Sequence, residues 1–230
     1  MLRMAAEHGT TDIVATPHAS PTFSFDPEVN RERLAQMEAA AEGVVRLHTG
    51  CDFHLSFDNI QDALQHPTKY TIDHKNHLMV EFSDLLVFHN TGEIFARLLD
   101  AGMIPVITHP ERNPLLRQRI DKMGEWVAAG ARVQVTAQSL TGRFGKRAEA
   151  FSKTLLDANL VHVIASDGHD VVHRPPVMDE AFAWLSEHYS PATAELLCRE
   201  NPTCALTGEP MVAPAGESKP ASGGWFKFFR

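Results

Sequence analysis

Short apolar runs alternate with longer amphipathic stretches along most of the chain. The runs are rich in β-branched residues, and the stretches between them place apolar residues at helical spacing. This alternation is typical of strand and helix units repeated around a parallel sheet, so the sequence predicts an α/β fold. The predicted strands span residues 12–16, 44–53, 77–82, 103–108, 131–136 and 160–166.

Four of the amphipathic stretches are predicted to be helices. Residues 27–43 begin with Pro27, carry Leu34 and Met37 at helical spacing and end at Gly43. Proline suits the first turn of a helix and glycine suits the position just after its end, so both boundaries are expected. The other three helices, at residues 91–102, 114–130 and 146–159, end in the same way at glycine or asparagine.

The chain changes character after residue 209. Residues 210–224 are rich in proline, glycine, serine and alanine, which predicts a flexible linker after a domain that spans residues 1–209. The last residues combine aromatic and basic side chains in the segment Trp225-Phe226-Lys227-Phe228-Phe229-Arg230. Such a segment suits weak contact with a membrane surface, although a disordered terminus is the stronger alternative.

The composition is that of an ordinary globular protein, with 43% hydrophobic and 22% charged residues. The net charge is −8 and the charges are intermingled, so nucleic acid is not an expected partner. Cys51, Cys198 and Cys204 are odd in number and unrelated in spacing, which argues against a disulfide framework and a paired-cysteine metal site. No secretion signal or membrane-spanning run is visible, and a reducing cytoplasm is the expected location.

Polar residues collect where the predicted strands end. Because the carboxyl ends of parallel strands meet at one edge of a sheet, residues there are expected to form a common site. Histidine is unusually frequent, with thirteen in the chain. Five strand ends carry histidine or carboxylate, in the segments Thr16-Pro17-His18, Gly50-Cys51-Asp52-Phe53-His54, Val80-Glu81-Phe82, Thr108-His109-Pro110-Glu111-Arg112 and Ser166-Asp167-Gly168-His169.

Imidazole and carboxylate together suit divalent metals such as Mn²⁺, Fe²⁺ or Zn²⁺. Two adjacent metals cleave phosphoesters without a protein nucleophile, and Arg112 is placed to bind a phosphate through two N–H donors. A single histidine after a strand is more often a surface or core-edge residue, but five such strand ends are a much rarer coincidence. The sequence has neither a GxSxG serine nor a Cys-x5-Arg loop, and no glycine-rich nucleotide loop, so a metal-dependent hydrolase is the favoured class.

Four of these segments resemble the polymerase-and-histidinol-phosphatase (PHP) superfamily. They are ATPHA at 15–19, VEF at 80–82, ITHPERN at 107–113 and ASDGH at 165–169, in that order and with helices between them. The sequence is most similar to the manganese-dependent tyrosine-protein phosphatases of bacterial capsule and exopolysaccharide clusters. The resemblance covers about residues 4–209.

The resemblance implies a distorted, TIM-like barrel of seven β/α units whose cleft binds two to three divalent ions, with Mn²⁺ the expected metal. It implies that the substrate is the phosphotyrosine-bearing tail of a bacterial tyrosine autokinase. Arg112 and Arg174 match phosphate-binding arginines, with an exposed or capping role an equal alternative for Arg174. Asp52 stands where the family usually has glutamate, and the residues that match metal ligands are His18, Glu81, His109, Asp167 and His169.

The sequence departs from the family at its beginning. Family members open with a strand that carries His-x-His and continue into a loop with an acidic pair, and nothing in this sequence matches either. Met1 falls inside the expected first helix. We therefore expect the first strand to be missing and this chain to have little or no phosphatase activity. The alternatives are a phosphatase of small phosphomonoesters such as histidinol phosphate, and a non-catalytic remnant that binds a kinase tail or a metal.

Overall fold

Eight parallel strands run through residues 1–214, which are the residues that the computed structural model describes. They are β1 (Asp12–Ala15), β2 (His18–Ala19), β3 (Arg46–Thr49), β4 (Asp52–His54), β5 (His77–Glu81), β6 (Ile104–Thr108), β7 (Arg132–Thr136) and β8 (Val163–Ala165). Six strands form one sheet in the order β2-β4-β5-β6-β7-β8, and β1 pairs with β3 in a second sheet. The parallel α/β class is confirmed, while closure of the sheet into a barrel stays a prediction.

One predicted strand is divided into two shorter ones, and another is followed by a short strand that was not predicted. The stretch 12–16 corresponds to β1 alone. The short strand β2 follows Pro17, which separates the two strands because proline has no N–H group to donate to a neighbouring strand. The stretch 44–53 is divided beside Gly50, where an added Cβ would lie 2.6 Å from Cγ1 of Val14. The prediction of one continuous strand over residues 44–53 is therefore wrong, although the partners remain parallel on both sides of the break.

Ten α-helices connect or cover these strands within residues 1–214. The predicted helices correspond to α2, α4, α5 and α7, and α2 begins where the Asp26 side chain accepts hydrogen bonds from two backbone amides of the first turn. Helix α3 and the helices after β8 were not predicted. The helices are α1 (Leu2–Glu7), α2 (Pro27–Ala41), α3 (Phe57–Gln65), α4 (Thr91–Asp100), α5 (Ile120–Ala128), α6 (Ala137–Leu140), α7 (Lys146–Asp157), α8 (Asp179–His188), α9 (Pro191–Glu195) and α10 (Asn201–Thr207).

The core lies between the six-stranded sheet and its helices. Phe53, Leu78 and Ile107 on the strands are completely or almost completely buried, and Phe95 of α4 and Trp126 of α5 pack from the helical side. The rings of Phe95 and Trp126 meet edge to face at 5.6 Å between centroids. Each such side chain contributes about 1.5–3 kcal/mol by leaving water. This packing fixes the strands whose ends carry the candidate site.

A network of charged side chains joins β1 to β3. The Arg46 guanidinium donates to both carboxylate oxygens of Asp12, at 2.7 and 2.6 Å. His48 lies 2.8 Å from Asp12 through Nε2 and 2.6 Å from Asp73 through Nδ1. Burial lowers the pKa of His48, but these two carboxylates outweigh it and hold the pKa above its usual value. His48 therefore links the strands to the 3₁₀ turn at Ile72–His74, and its protonated form donates through both ring nitrogens.

The chain remains packed on the domain just beyond residue 209. Met211 is buried, and the backbone of Val212 exchanges two hydrogen bonds with the Asn201 side chain. The predicted division into residues 1–209 and 210–230 stays a prediction, and the aromatic and basic segment 225–230 lies outside the described residues. Within residues 1–214, no helix combines the length and the apolar character that a membrane crossing requires.

Candidate metal and phosphate site

Three predicted ligands come together on neighbouring strands, where His18 and Asp52 begin β2 and β4 and Glu81 ends β5. His18 on β2 is in register with Asp52 on β4, and Glu81 ends β5, the next strand of the sheet. Nδ1 of His18 lies 3.0 Å from Oδ2 of Asp52 and 3.4 Å from Oε2 of Glu81. One ligand atom from each of the three residues lies within 4.8 Å of the others, a spacing that suits one metal ion.

The environment of Asp52 fits a bound cation. Its Oδ1 atom is buried and has no hydrogen-bond partner among the described residues. Burial, followed by the negative charges of Glu81 and Asp167, raises the pKa of Asp52 well above its usual range. A divalent ion would satisfy the oxygen and offset the repulsion between these carboxylates. The donors present are therefore suitable for Mn²⁺ or a similar metal.

His109 lies on the other side of Glu81. Its Nε2 atom is 3.6 Å from Oε1 of Glu81, and only 12% of its side chain is exposed. Burial, with a smaller effect of the nearby Arg112 guanidinium, lowers the pKa of His109 to about 4. The imidazole is therefore neutral near pH 7, which is the form that ligates metals.

Both arginines that are predicted to bind phosphate form ion pairs with Asp167. Its Oδ2 atom is 2.5 Å from Nη1 of Arg112 and also accepts from Nη2 of Arg174. The two guanidinium groups also lie 4.8 and 5.7 Å from the centre of the Phe144 ring. His169 is close by, with Nδ1 3.7 Å from Oδ1 of Asp167. One carboxylate and one ring thus hold side by side the two guanidinium groups that are predicted to bind phosphate.

Two of the candidate ligands have unusual backbone conformations. His109 has φ +35° and Asp167 has φ +48°, in the left-handed region that residues with a Cβ rarely adopt. His109 comes directly after β6, and Asp167 comes two residues after the end of β8, where the chain turns away from the sheet. Such strain is concentrated at functional sites, where the surrounding structure maintains it.

Hydrogen bonds support the segments that carry the arginines. Glu111, next to Arg112, is fully buried and accepts from the Thr136 amide at 3.1 Å and the Ser139 hydroxyl at 2.7 Å. Burial raises the pKa of Glu111. The carbonyl of Arg174 accepts from the His169 amide at 2.8 Å. These bonds fix the loop after β6 against the end of β7 and close the loop after β8 on itself.

A cleft of about 390 Å³ opens between these groups. Its lining includes Glu81, His109 and Arg112, and also His54, to which the sequence analysis gave no role. His54 could have been found, because it stands two residues after Asp52 and strand alternation places both side chains on one face. No sequence signal marks Phe144, whose role depends on the approach of two distant arginines.

The structure therefore divides the predicted residues into two neighbouring groups. His18, Asp52, Glu81 and His109 form one group around the strand ends β2, β4, β5 and β6. Arg112, Asp167, His169 and Arg174 form the other. Their charges interact, since Asp167 contributes to the raised pKa of Asp52. The assignment of individual ligands stays a prediction.

The fold and the site define a parallel α/β protein with a candidate centre for divalent metal and phosphate at its strand ends. Residues 1–207 match the protein family described as capsular polysaccharide synthesis, CpsB/CapC. The chain belongs to the CpsB/CapC family, which confirms the resemblance found in the sequence.

Relatives with known names agree with this membership. The tyrosine-protein phosphatase YwqE of Bacillus subtilis is 32% identical over 82% of this chain and 76% of its own length. The tyrosine-protein phosphatase CpsB of Streptococcus pneumoniae is 25% identical over 88% of this chain and 86% of its own length. CapC of Staphylococcus aureus, provisionally assigned as a tyrosine-protein phosphatase, is 33% identical over 79% of this chain and 72% of its own length.

The fold is likewise similar to a solved structure. It comes from crystallographic work on YwqE of Bacillus subtilis and CpsB of Streptococcus pneumoniae, described as unique metal-dependent tyrosine phosphatases. The TM-score is 0.84 at 29% sequence identity, and the match covers 93% of this chain and 87% of that chain. This likeness confirms the fold class predicted from the sequence.

Proposed function

We propose that this protein is a metal-dependent protein-tyrosine phosphatase. The observation that carries the proposal is the cluster of His18, Asp52 and Glu81 beside the paired guanidinium groups of Arg112 and Arg174. A carboxylate and imidazole cluster suits a divalent metal, and two arginines suit a phosphate. The relatives are named tyrosine-protein phosphatases, and the solved structure is described as metal-dependent.

The reaction is hydrolysis of a phosphomonoester. A bond forms between the water oxygen and phosphorus, the bond from phosphorus to the phenolic oxygen breaks, and a proton passes to the phenolic oxygen. A bound divalent metal supplies charge neutralisation and activation of water. Arg112 and Arg174 bind the non-bridging phosphoryl oxygens through paired N–H donors, and Asp167 keeps the two guanidinium groups adjacent.

We extend the proposal to the metal, the substrate and the cellular location. Mn²⁺ is the proposed metal, with Fe²⁺ and Zn²⁺ as alternatives, because each accepts mixed imidazole and carboxylate ligands. His109, Asp167 and His169 are proposed to complete sites for two to three ions. The substrate is the phosphotyrosine-bearing tail of a tyrosine autokinase of capsule or exopolysaccharide synthesis, in the cytoplasm. The names and the family description of the relatives support this substrate class.

A small phosphomonoester such as histidinol phosphate is the less favoured substrate. Leu85 lines the cleft and is 92% exposed, so the cleft has an apolar, open edge that suits a peptide. The names of the relatives point the same way. A protein substrate is therefore proposed.

The test is phosphate release from a phosphotyrosine peptide, a phosphoserine peptide and histidinol phosphate by the Mn²⁺-loaded protein. We expect hydrolysis that is selective for the phosphotyrosine peptide but slower than about 1 s⁻¹. It should stop on chelation, and Asp52→Asn should lose both the residual activity and the bound metal. Asp121→Asn, at an exposed position of α5, is the matched control. Activity that persists after complete metal removal would contradict the proposal. A rate of about 1 s⁻¹ or faster would also refute the expectation that this chain lacks essential ligands.

A further inference from the structure

Phe23 is an exposed aromatic residue beside the candidate metal cluster. Its ring centroid is 5.8 Å from that of His18, and the two rings are inclined by 30°. Phe23 is 60% exposed. A single exposed apolar residue is ordinary on a protein surface. Contact with a candidate metal ligand is what distinguishes this one.

A tight turn fixes the position of Phe23. The amide of Ser20 donates to the carbonyl of Phe23 at 3.0 Å, and the amide of Phe23 donates back to the carbonyl of Ser20 at 3.1 Å. The Ser20 hydroxyl also accepts from the Thr22 and Phe23 amides, at 3.3 and 3.2 Å. Pro21 occupies the second position of this turn, where its fixed φ is favourable. The ring therefore projects from a locally closed segment.

The segment is also held at both of its ends. The side chain of Asn59 donates to the carbonyl of Ala19 at 2.8 Å and to the carbonyl of His54 at 2.9 Å. On the other side, the ring of Phe25 packs against Tyr70 with 5.2 Å between centroids. Phe23 lies between these two attachments, so its exposure reflects a defined position beside the site.

We propose that Phe23 contacts the aromatic ring of the substrate and makes the site selective for aryl over alkyl phosphomonoesters. This inference rests on the proposed phosphatase function. The phenolic oxygen of phosphotyrosine joins phosphorus directly to the ring. A phosphoryl group bound near His18 therefore brings that ring close to Phe23. An offset or edge-to-face contact between two aromatic rings then stabilises the bound ester.

Other apolar side chains at the site are less suited to this role. Phe144 already lies against the guanidinium groups of Arg112 and Arg174. Leu85 lines the cleft but has no aromatic face. Phe23 combines an aromatic ring, a mostly exposed surface and a ring contact with the candidate ligand His18.

The test measures binding by calorimetry to the complete, Mn²⁺-loaded chain, with phenylphosphonate and methylphosphonate as the two probes. Neither probe can be hydrolysed at its carbon to phosphorus bond, and they differ only in the ring. We expect phenylphosphonate to bind about ten-fold more tightly than methylphosphonate, and Phe23→Ala to abolish most of this difference. In Phe23→Ala, the affinity for methylphosphonate and the metal content should remain unchanged. Phe23→Trp, which keeps an aromatic ring, should retain the preference for phenylphosphonate.

Phe57→Ala is the matched control, because Phe57 is 71% exposed and makes no ring contact with a candidate ligand among the described residues. Equal affinity of the wild-type protein for the two probes, or an undiminished preference in Phe23→Ala, would overturn the role of Phe23 and leave the proposed phosphatase function standing. A metal-loaded wild-type protein that binds neither probe would overturn the proposed function, and this inference with it.

Discussion

His77 and His162 lie buried at the opposite end of the sheet from the candidate site. His77 begins β5, and His162 precedes β8, with Arg132 at the start of β7 between these strands. Burial, and then the positive charge of Arg132, lowers the pKa of each imidazole to about 4. In the unfolded chain each is expected to titrate near about 6.5. As the pH falls, these two histidines are therefore protonated at a higher pH in the unfolded chain than in the folded protein. The folded protein loses stability on acidification for this reason.

The size of this effect follows from the difference between the folded and unfolded pKa values. Linkage gives a loss of about 2 kcal/mol per histidine between about pH 8 and pH 5, and about 3 kcal/mol per histidine below pH 4. The stability is fully present above the unfolded pKa and is lost between the unfolded and folded values. Two such residues would remove a large part of a typical stability of about 5–15 kcal/mol.

The assay is urea unfolding of the wild-type protein and His77→Leu at several pH values. Removal of the imidazole should make the variant less sensitive to acid, so its free energy of unfolding relative to wild type should rise by about 2 kcal/mol from pH 8 to pH 5. His89→Leu, at an exposed position, should follow the wild-type curve. Parallel curves for wild type and His77→Leu would refute the reasoning.

Four further predictions concern other parts of the chain. Alanine at both Asp167 and His169 should lower the bound metal measured by mass spectrometry, and unchanged metal content would remove them from the ligand set. Arg112→Lys should weaken binding of a phosphotyrosine peptide about ten-fold with metal content unchanged, because a point charge replaces a two-pronged donor; unaltered affinity would exclude Arg112. His48→Gln should destabilise the protein more at pH 6 than at pH 9, since the pKa of His48 is raised and its stabilisation is lost as the pH rises through that value; an equal loss of melting temperature at both pH values would count against this. If residues 220–230 contact a membrane, deleting them should reduce sedimentation with anionic liposomes; equal sedimentation, which a disordered terminus predicts, would rule out the contact.

Most of the parallel sheet could be predicted from apolar runs, because strands buried on both faces read as continuous hydrophobic segments. The break within residues 44–53 and the separate strand β2 could not be predicted. The break beside Gly50 depends on its close approach to Val14, which is distant in the sequence. Helix α3 was missed because Ser56 caps it immediately after β4, which leaves no separate loop as a signal.

Most of the predicted site residues could be found because they lie at or just after the end of a predicted strand. Their grouping could not be foreseen, since it depends on which side chains reach across strand ends. Asp167 illustrates this point: the sequence suggested a metal ligand, and the structure shows its oxygen bonded to Arg112 and Arg174. Phe23 gave no signal at all, because its significance comes from proximity to His18.

The left-handed backbone at His109 and Asp167 has a consequence for protein engineering. Glycine adopts that conformation without a steric penalty, so a redesign guided by backbone strain alone would favour glycine at both positions, relieving about 1 kcal/mol or more of strain at each. The same substitutions would delete an imidazole and a carboxylate from the cleft. Selection for heat resistance and selection for turnover should therefore drive these two positions in opposite directions.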